Sequence, residues 1–322
     1  MKTKKVIIVG ATGFIGSHVV EQFFLADYKV KIVVRKESNY KRIEQFCDEI
    51  LTTDFSNEKE LENAFENQDL LVNCIASVKI GASLKELNKT SVDLIRKITK
   101  AAIKVGVKRF FLLSTVEVYG FIKHPIKKET LEYKPTYDFQ RTHIEKEKIF
   151  KEICEKSTVD YIILQPASTI GKWETNTSFF KPMYEMHKKG FSLLINKGKA
   201  KVALVDTRDI GKAFVFFAEY SEIKNETFLL KGYTLTWLEL KRELDKIRKK
   251  QAKEINMHRN FGLFLANFIS LFNSEIFPPL AIDMMCFDMD VNDEKLRKIG
   301  FTPTISDVKD SMKEAIQYFR GE

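Results

Sequence analysis

The chain has 322 residues, 44% of them hydrophobic and 30% charged, so it can bury a core of its own as one large domain or two lobes. Its net charge of +9 is spread over solvated helical faces such as "ELKRELDKIRKK", with no groove-reading motif beside it. Nucleic-acid binding is therefore not expected, and a site for anionic small molecules explains some of the excess equally well. Four scattered cysteines, with no Cys-x-x-Cys pair and no histidine at ligand spacing, give no metal site and read as buried, reduced thiols of a cytoplasmic protein.

In chain order, "KVIIVGA", "KVKIVV", "DLLVNCIA", "VKRFFLLST" and "VDYIILQPA" are continuous apolar runs that predict buried strands. Segments of helical period lie between them. In "LKELNKTSVDLIRKITKAAIKVG", Leu87, Leu94, Ile98, Ala101 and Val105 fall on one face. Apolar strands alternating with helices predict an α/β fold, a doubly wound parallel sheet of the Rossmann kind covered on both faces. "VALVDTRDIGKAFVFFAEY" reads as one more strand and helix returning to that layer. The expected division is a dinucleotide-binding domain of residues 1–168 plus 202–232, and a smaller, mostly helical substrate lobe of 169–201 plus 233–322. The first apolar run is too short for a signal-peptide core, and no stretch reaches membrane-spanning length.

"VIIVGATGFIGSHVV" carries Gly10, Gly13 and Gly16 between the first strand and an apolar-periodic helix. In that context the spacing points to pyrophosphate binding, with Thr12, Phe14 and Ile15 in the same turn and the helix N-terminus facing the anion. The end of the second strand has no carboxylate for a ribose 2′-hydroxyl. It has Arg35, with Lys36, Lys41 and Arg42 close behind, which suits a 2′-phosphate and predicts NADP in preference to NAD.

Taken in order, the glycine triplet, "DF" at Asp54 and Phe55, "NCIAS" (73–77), Asn88, "LLSTVEVYG" and "YDFQR" resemble the extended short-chain dehydrogenase/reductase family, almost end to end. "VDTRDIGKAF" and the C-terminal "DEKLRKIGFTP" extend the match. The resemblance implies that Asp54 and Phe55 approach the adenine, and that Cys74, Ile75 and Ala76 lie beside the cofactor's sugar–phosphate. It implies that Asn88 braces the central helices and that Ser114 and Pro166 border the cofactor. It further implies that Thr115 hydrogen-bonds the substrate oxygen, that Tyr137 is the tyrosine of Tyr-x-x-x-Lys, and that Arg141 stands in the lysine's place.

A cation four residues on along a helix would favour tyrosinate, and so make Tyr137 a usable acid/base. His143 and Glu117 are the nearest other acids. The resemblance divides over substrate. "STVEVYG" is like nucleotide-sugar epimerases and dehydratases, but Val202, Ala203 and Gln165 stand where those enzymes commonly keep diphosphate-binding residues. The strand-2 end is like dihydroflavonol reductases, and the apolar "FGLFLANFISLFNSEIFPPL" would suit an apolar substrate. The first expectation is thus an NADP-dependent ketone/alcohol oxidoreductase of a small molecule. A nucleotide-sugar epimerase, dehydratase or reductase comes second, and a non-catalytic NADP-binding regulatory protein third. A homodimer through the helices at 83–105 and 138–157 is a further implication of the resemblance. Shallow membrane association of the apolar segment is a lesser alternative.

Overall fold

The computed structural model describes residues 4–76, 82–121, 125, 126, 128–175, 178–272 and 277–321. The first half runs β1 (Lys5–Val9), α1 (Phe14–Leu25), β2 (Lys29–Val34), β3 (Glu49–Thr52), α2 (Glu58–Phe65), β4 (Leu70–Asn73), α3 (Leu84–Lys104), β5 (Arg109–Leu113), α4 (Asp138–Glu155) and β6 (Asp160–Pro166). The second half continues β7 (Ser168–Ile170), α5 (Phe180–Lys188), β8 (Phe191–Ile195), β9 (Lys201–Asp206), α6 (Thr207–Glu219), β10 (Glu226–Leu230), β11 (Tyr233–Thr236), α7 (Trp237–Arg248), β12 (Lys253–Met257), α8 (Arg259–Ser270), α9 (Pro279–Met284), α10 (Glu294–Lys298) and α11 (Val308–Arg320).

Seven strands form one sheet in the order β10-β6-β5-β4-β1-β2-β3, with every described pairing parallel. Alternation along β1 shows why its run is apolar throughout. Val6 and Ile8 pack into one core with Val19, Phe23 and Phe214, while Ile7 and Val9 pack into the opposite core with Leu61, Ile95 and Ile98. Both faces are covered, so neither register of the strand can be polar. The strand order reverses between β1 and β4, and in such sheets the crevice at that point, beyond the strands' carboxyl ends, receives the ligand.

All five expected strands form. The run at 201–206 forms too, but β9 leaves the main sheet. It pairs with β7 and β11 in a separate three-stranded sheet, and β10 closes the edge beside β6 instead. α6 returns to the first core through Ile210, Ala213, Phe214 and Phe217, joined by Val205 from the end of β9. A second small sheet pairs β8 with β12, so the second lobe holds more strand than expected. Leu296 of α10 and Phe301, although late in the chain, also pack on the first core. Of the four free cysteines, Cys74 and Cys154 are buried, whereas Cys47 and Cys286 are half-buried.

Candidate active site

The turn after β1 is built by backbone contact. Gly10 has φ +76°, and a Cβ on it would come 2.7 Å from the Cys74 carbonyl carbon and the Ile75 nitrogen at the end of β4. A Cβ on Gly16 would lie 2.1 Å from the Gly10 oxygen. α1 starts at Phe14 from Gly13, with no side-chain cap and no acid in its first turn. Its leading N–H groups are thereby left to an anion, with Thr12, Phe14 and Ile15 in the surrounding turn.

Arg42 braces this turn from behind. Its guanidinium donates to the Thr12 and Gly13 oxygens and, through Nε, to Ser17 Oγ at 3.0 Å. Arg35 reaches outward at the end of β2, its side chain 68% exposed and 3.3 Å from Glu37. The Asp54 carboxylate is held by its own loop, accepting from Ser56 N and Oγ, and the next residue, Phe55, is buried at φ +62°. At the end of β4, Asn73 Oδ1 accepts from Ile75 N at 2.8 Å, Cys74 is buried and Ala76 is exposed. Ser77 lies outside the described residues.

Thr115 caps the short turn Val116–Tyr119 after β5, its Oγ1 accepting from Glu117 N at 3.2 Å. Glu117 has no side-chain partner among the described residues, and desolvation alone lifts its pKa to about 7. Ser114 is buried and donates to Glu147. Pro166 ends β6, paired with Leu230. Asn88 Oδ1 accepts from Thr142 Oγ1 at 3.2 Å, tying α3 to α4.

The structure does not bring Arg141 to the Tyr137 hydroxyl. Tyr137 is the N-cap of α4, with extended backbone at φ −110° and ψ 152°, so the i,i+4 alignment of a helical face does not apply to it. Gln140 Oε1 accepts from Thr136 N and Tyr137 N and fixes that entry. Arg141, 44% exposed, folds back onto Asp138 and the Thr136 oxygen. The Tyr137 hydroxyl instead donates to Asp283 Oδ2 at 2.7 Å, and Asp283 Oδ1 accepts from Arg259 Nη2 at 2.7 Å. Phe121 packs edge-on to Tyr137 and stacks on Phe287. Burial first, and then the Asp283 carboxylate, hold the Tyr137 pKa above its ordinary value, opposite in direction to the expected effect of Arg141.

Sequence reading also missed what α4 buries further along. Lys146 is 1% exposed and donates to the oxygens of Leu113 (3.0 Å) and Ile75 (3.3 Å), at the carboxyl ends of β5 and β4. Burial lowers its pKa to about 8, against the opposing pull of Glu147 and Cys74. The Glu147 carboxylate accepts from Ser114 Oγ, Tyr133 OH and Gln165 Nε2, while Gln165 accepts in turn from Tyr119 OH. His143, one of the two other acids named from the sequence, is buried. Its Nδ1 has no hydrogen-bond partner among the described residues, and burial followed by the Lys146 charge keeps it neutral. The available signal was spacing. Gln140, His143 and Glu147 continue as Phe150 and Cys154 at steps of three and four, a polar stretch of a buried stripe.

Known proteins resemble this arrangement along most of the chain. The UDP-glucose 4-epimerase of Vibrio cholerae is 25% identical over 257 residues, covering 75% of each chain. The chloroplastic divinyl chlorophyllide a 8-vinyl-reductase of Arabidopsis thaliana is 28% identical over 196 residues, 56% of this chain and 41% of that one. Among solved structures, the UDP-glucuronic acid 4-epimerase of Bacillus cereus in complex with UDP-glucuronic acid and NAD matches with a TM-score of 0.81 at 16% identity, over 98% of this chain and 99% of that one. At that identity the likeness is one of fold. The model of the NAD dependent epimerase/dehydratase family matches residues 6–230, from β1 through β10, and the chain belongs to that family.

Proposed function

We propose that the chain is a nicotinamide-dinucleotide-dependent enzyme that works on a carbinol or ketone carbon of a nucleotide-linked sugar, with Glu117 as its proton-exchanging group. The observation that carries this reading is the pair at the end of β5. There a hydroxyl, Thr115, stands two residues from a half-buried carboxyl whose pKa desolvation pushes up to about 7. A carboxyl so tuned can both give and take a proton near neutrality, which a phenol bonded to a carboxylate cannot do well. The relatives favour a nucleotide-linked sugar over the apolar ketone that the strand-2 end suggested. Beside the Vibrio cholerae enzyme, the UDP-N-acetyl-alpha-D-glucosaminuronate decarboxylase of Bacillus cytotoxicus is 29% identical over 126 residues.

The residues present fit a dinucleotide. The uncapped start of α1 leaves N–H donors for a pyrophosphate, and the backbone packing that admits only glycine at Gly10 and Gly16 fixes the turn that presents them. Gly10, Thr12, Gly13, Phe14, Ile15 and Gly16 would hold it. Cys74, Ile75 and Ala76 would border the sugar, and Asp54 with Phe55 the adenine. The bound dinucleotide supplies hydride exchange. Thr115 holds the substrate oxygen and Glu117 exchanges the proton. Lys146 places a positive charge beneath the carboxyl ends of β4 and β5. Tyr137, between Phe121 and Asp283, positions the substrate where the first domain meets the second lobe. The preference for NADP over NAD rests on Arg35, exposed beside Glu37 at the end of β2, while Arg42 is occupied by the glycine turn.

The test pairs thermal shift with turnover. NADP+ or NAD+ should raise Tm, and UDP should raise it further, because both bind only the native chain. Glu117→Gln should keep both shifts and lose roughly 10²–10⁴ in kcat on a UDP-sugar, together with the inflection near pH 7. UDP without effect, alongside NADPH consumption with apolar ketones, would replace this reading by the ketone reductase.

A further inference from the structure

Helix α8 presents an apolar face to solvent. Phe264 is 68% exposed, Leu271 79% and Phe272 81%, and Phe261 and Phe268 are exposed with them. Positions 261, 264, 268, 271 and 272 follow helical spacing, so they share one side. Gly262 and Ala266 are buried on the opposite side, toward Ile282 and Met257. From Asn260 to Phe272 the sequence contains no charged residue. Monomeric proteins rarely leave so continuous a patch uncovered. The β8–β12 pair beneath α8 extends it. Phe191 and Ile255 are exposed on the same sheet face as Leu193, Ile195 and Met257, which support the helix.

We infer that α8 docks this protein on an anionic lipid surface. The argument for lipid is charge. Exposed Lys197, Lys199, Lys249, Lys250 and Lys253 have no ion pair among the described residues. Two of them are placed at the helix. Lys197 follows Asn196, whose side chain accepts from Arg259 N, and Lys253 shares the strand-pair face with Phe191 and Ile255. Among the described residues, the nearby acids Glu254, Asp283 and Asp288 are engaged by Lys241, Arg259 and Lys201 N respectively. An anionic leaflet neutralises such a rim, with apolar rings sinking below the headgroups. A second copy would set the same lysines against each other on a chain already at +9. No helix among the described residues is long and apolar enough to cross a membrane, so α8 lies in the interface. Its first residue, Arg259, pairs with Asp283, which holds Tyr137, so the docked surface borders the candidate site.

Vesicle co-sedimentation tests this on the full chain, with phosphatidylcholine alone and with roughly one third phosphatidylglycerol. The wild type should partition onto the anionic vesicles and release at high salt. Phe264→Ser with Phe268→Ser should keep the wild-type Tm and lose roughly tenfold or more in partition. Lys197→Glu with Lys253→Glu should lower binding to anionic vesicles alone. Absent partition onto anionic vesicles, or partition that the phenylalanine changes leave intact, overturns the proposal. So does a soluble dimer that those changes dissociate while vesicle binding is nil, since the face is then covered by a second copy.

Discussion

The turn after β1 and the turn that opens α4 carry equally compact motifs, yet they follow from the sequence in different ways. At the first, function resides in the backbone. Gly10 and Gly16 are glycine because neighbouring main-chain atoms occupy the space of a Cβ, and the spacing alone fixes where the N–H groups lie. At the second, function depends on where two long side chains reach. The sequence gives Tyr137 and Arg141 the spacing of a helical pair, but the first is a cap residue outside the helix, and its hydroxyl is taken by Asp283, distant in the chain. A motif made of main chain is legible locally, whereas one made of side-chain reach is decided by what the fold brings opposite it.

The largest effect should come from breaking the first region. Gly16→Val puts branched carbon onto the Gly10 carbonyl, where only backbone can yield. We expect a loss of about 3 kcal/mol in urea unfolding and no thermal shift with either dinucleotide. A variant that keeps its dinucleotide shift would show that the turn tolerates displacement, and the contrast between the regions would fail.

Next comes the buried part of α4. Glu147→Ala removes the acceptor of Ser114, Tyr133 and Gln165 at once and should cost roughly 2–3 kcal/mol. Glu147→Gln, which keeps one acceptor oxygen, should cost less. Equal losses would indicate that the charge matters more than the hydrogen bonds.

This buried stripe marks where sequence reading stops. β1, β2, β4, β5 and β6 could be read because burial on both faces demands unbroken apolar runs. β3, "EILT", could not, since this short edge strand has its four residues half-buried or exposed. The run of β9 was recognised as a strand but placed in the wrong sheet. A run of four apolar residues looks the same whichever partner it finds, and its partners are β7, earlier in the chain, and β11, after it. The glycine turn was legible by context. Lys146 and Glu147 were hidden because charged residues on a helix read as solvated, and only their register with Phe150 and Cys154 reveals that they point inward.

The Tyr137 titration sharpens the comparison without any substrate. Its pKa lies above the ordinary value of about 10, so wild type minus Tyr137→Phe should show no tyrosinate absorbance up to that pH. A phenol with a raised folded pKa contributes stability that is complete below its unfolded pKa and is lost as pH rises through the folded one. Tyr137→Phe should therefore cost stability at neutral pH and progressively less in strong alkali. Asp283→Asn should bring the ionisation back toward its ordinary value. If it does not, burial alone holds the phenol.

The smallest expected effect belongs to the residue that first looked catalytic. Arg141 is nearly half exposed, and its partners are Asp138 one turn away and the Thr136 and Pro135 oxygens. An exposed pair of this kind contributes little, so Arg141→Ala should change stability by no more than about 0.5 kcal/mol. It should also leave the Tyr137 titration where it stands, because the cation whose charge bears on that phenol is Arg259, itself bonded to Asp283. Arg141→Lys separates spacing from reach. If a compact ammonium four residues on were enough, it would restore the expected depression of the Tyr137 pKa. With Tyr137 capping the helix from outside, its hydroxyl held in the second lobe, we expect no change. A fall below the ordinary value in Arg141→Lys would show that the two residues do meet, and would return the opening of α4 to the catalytic centre.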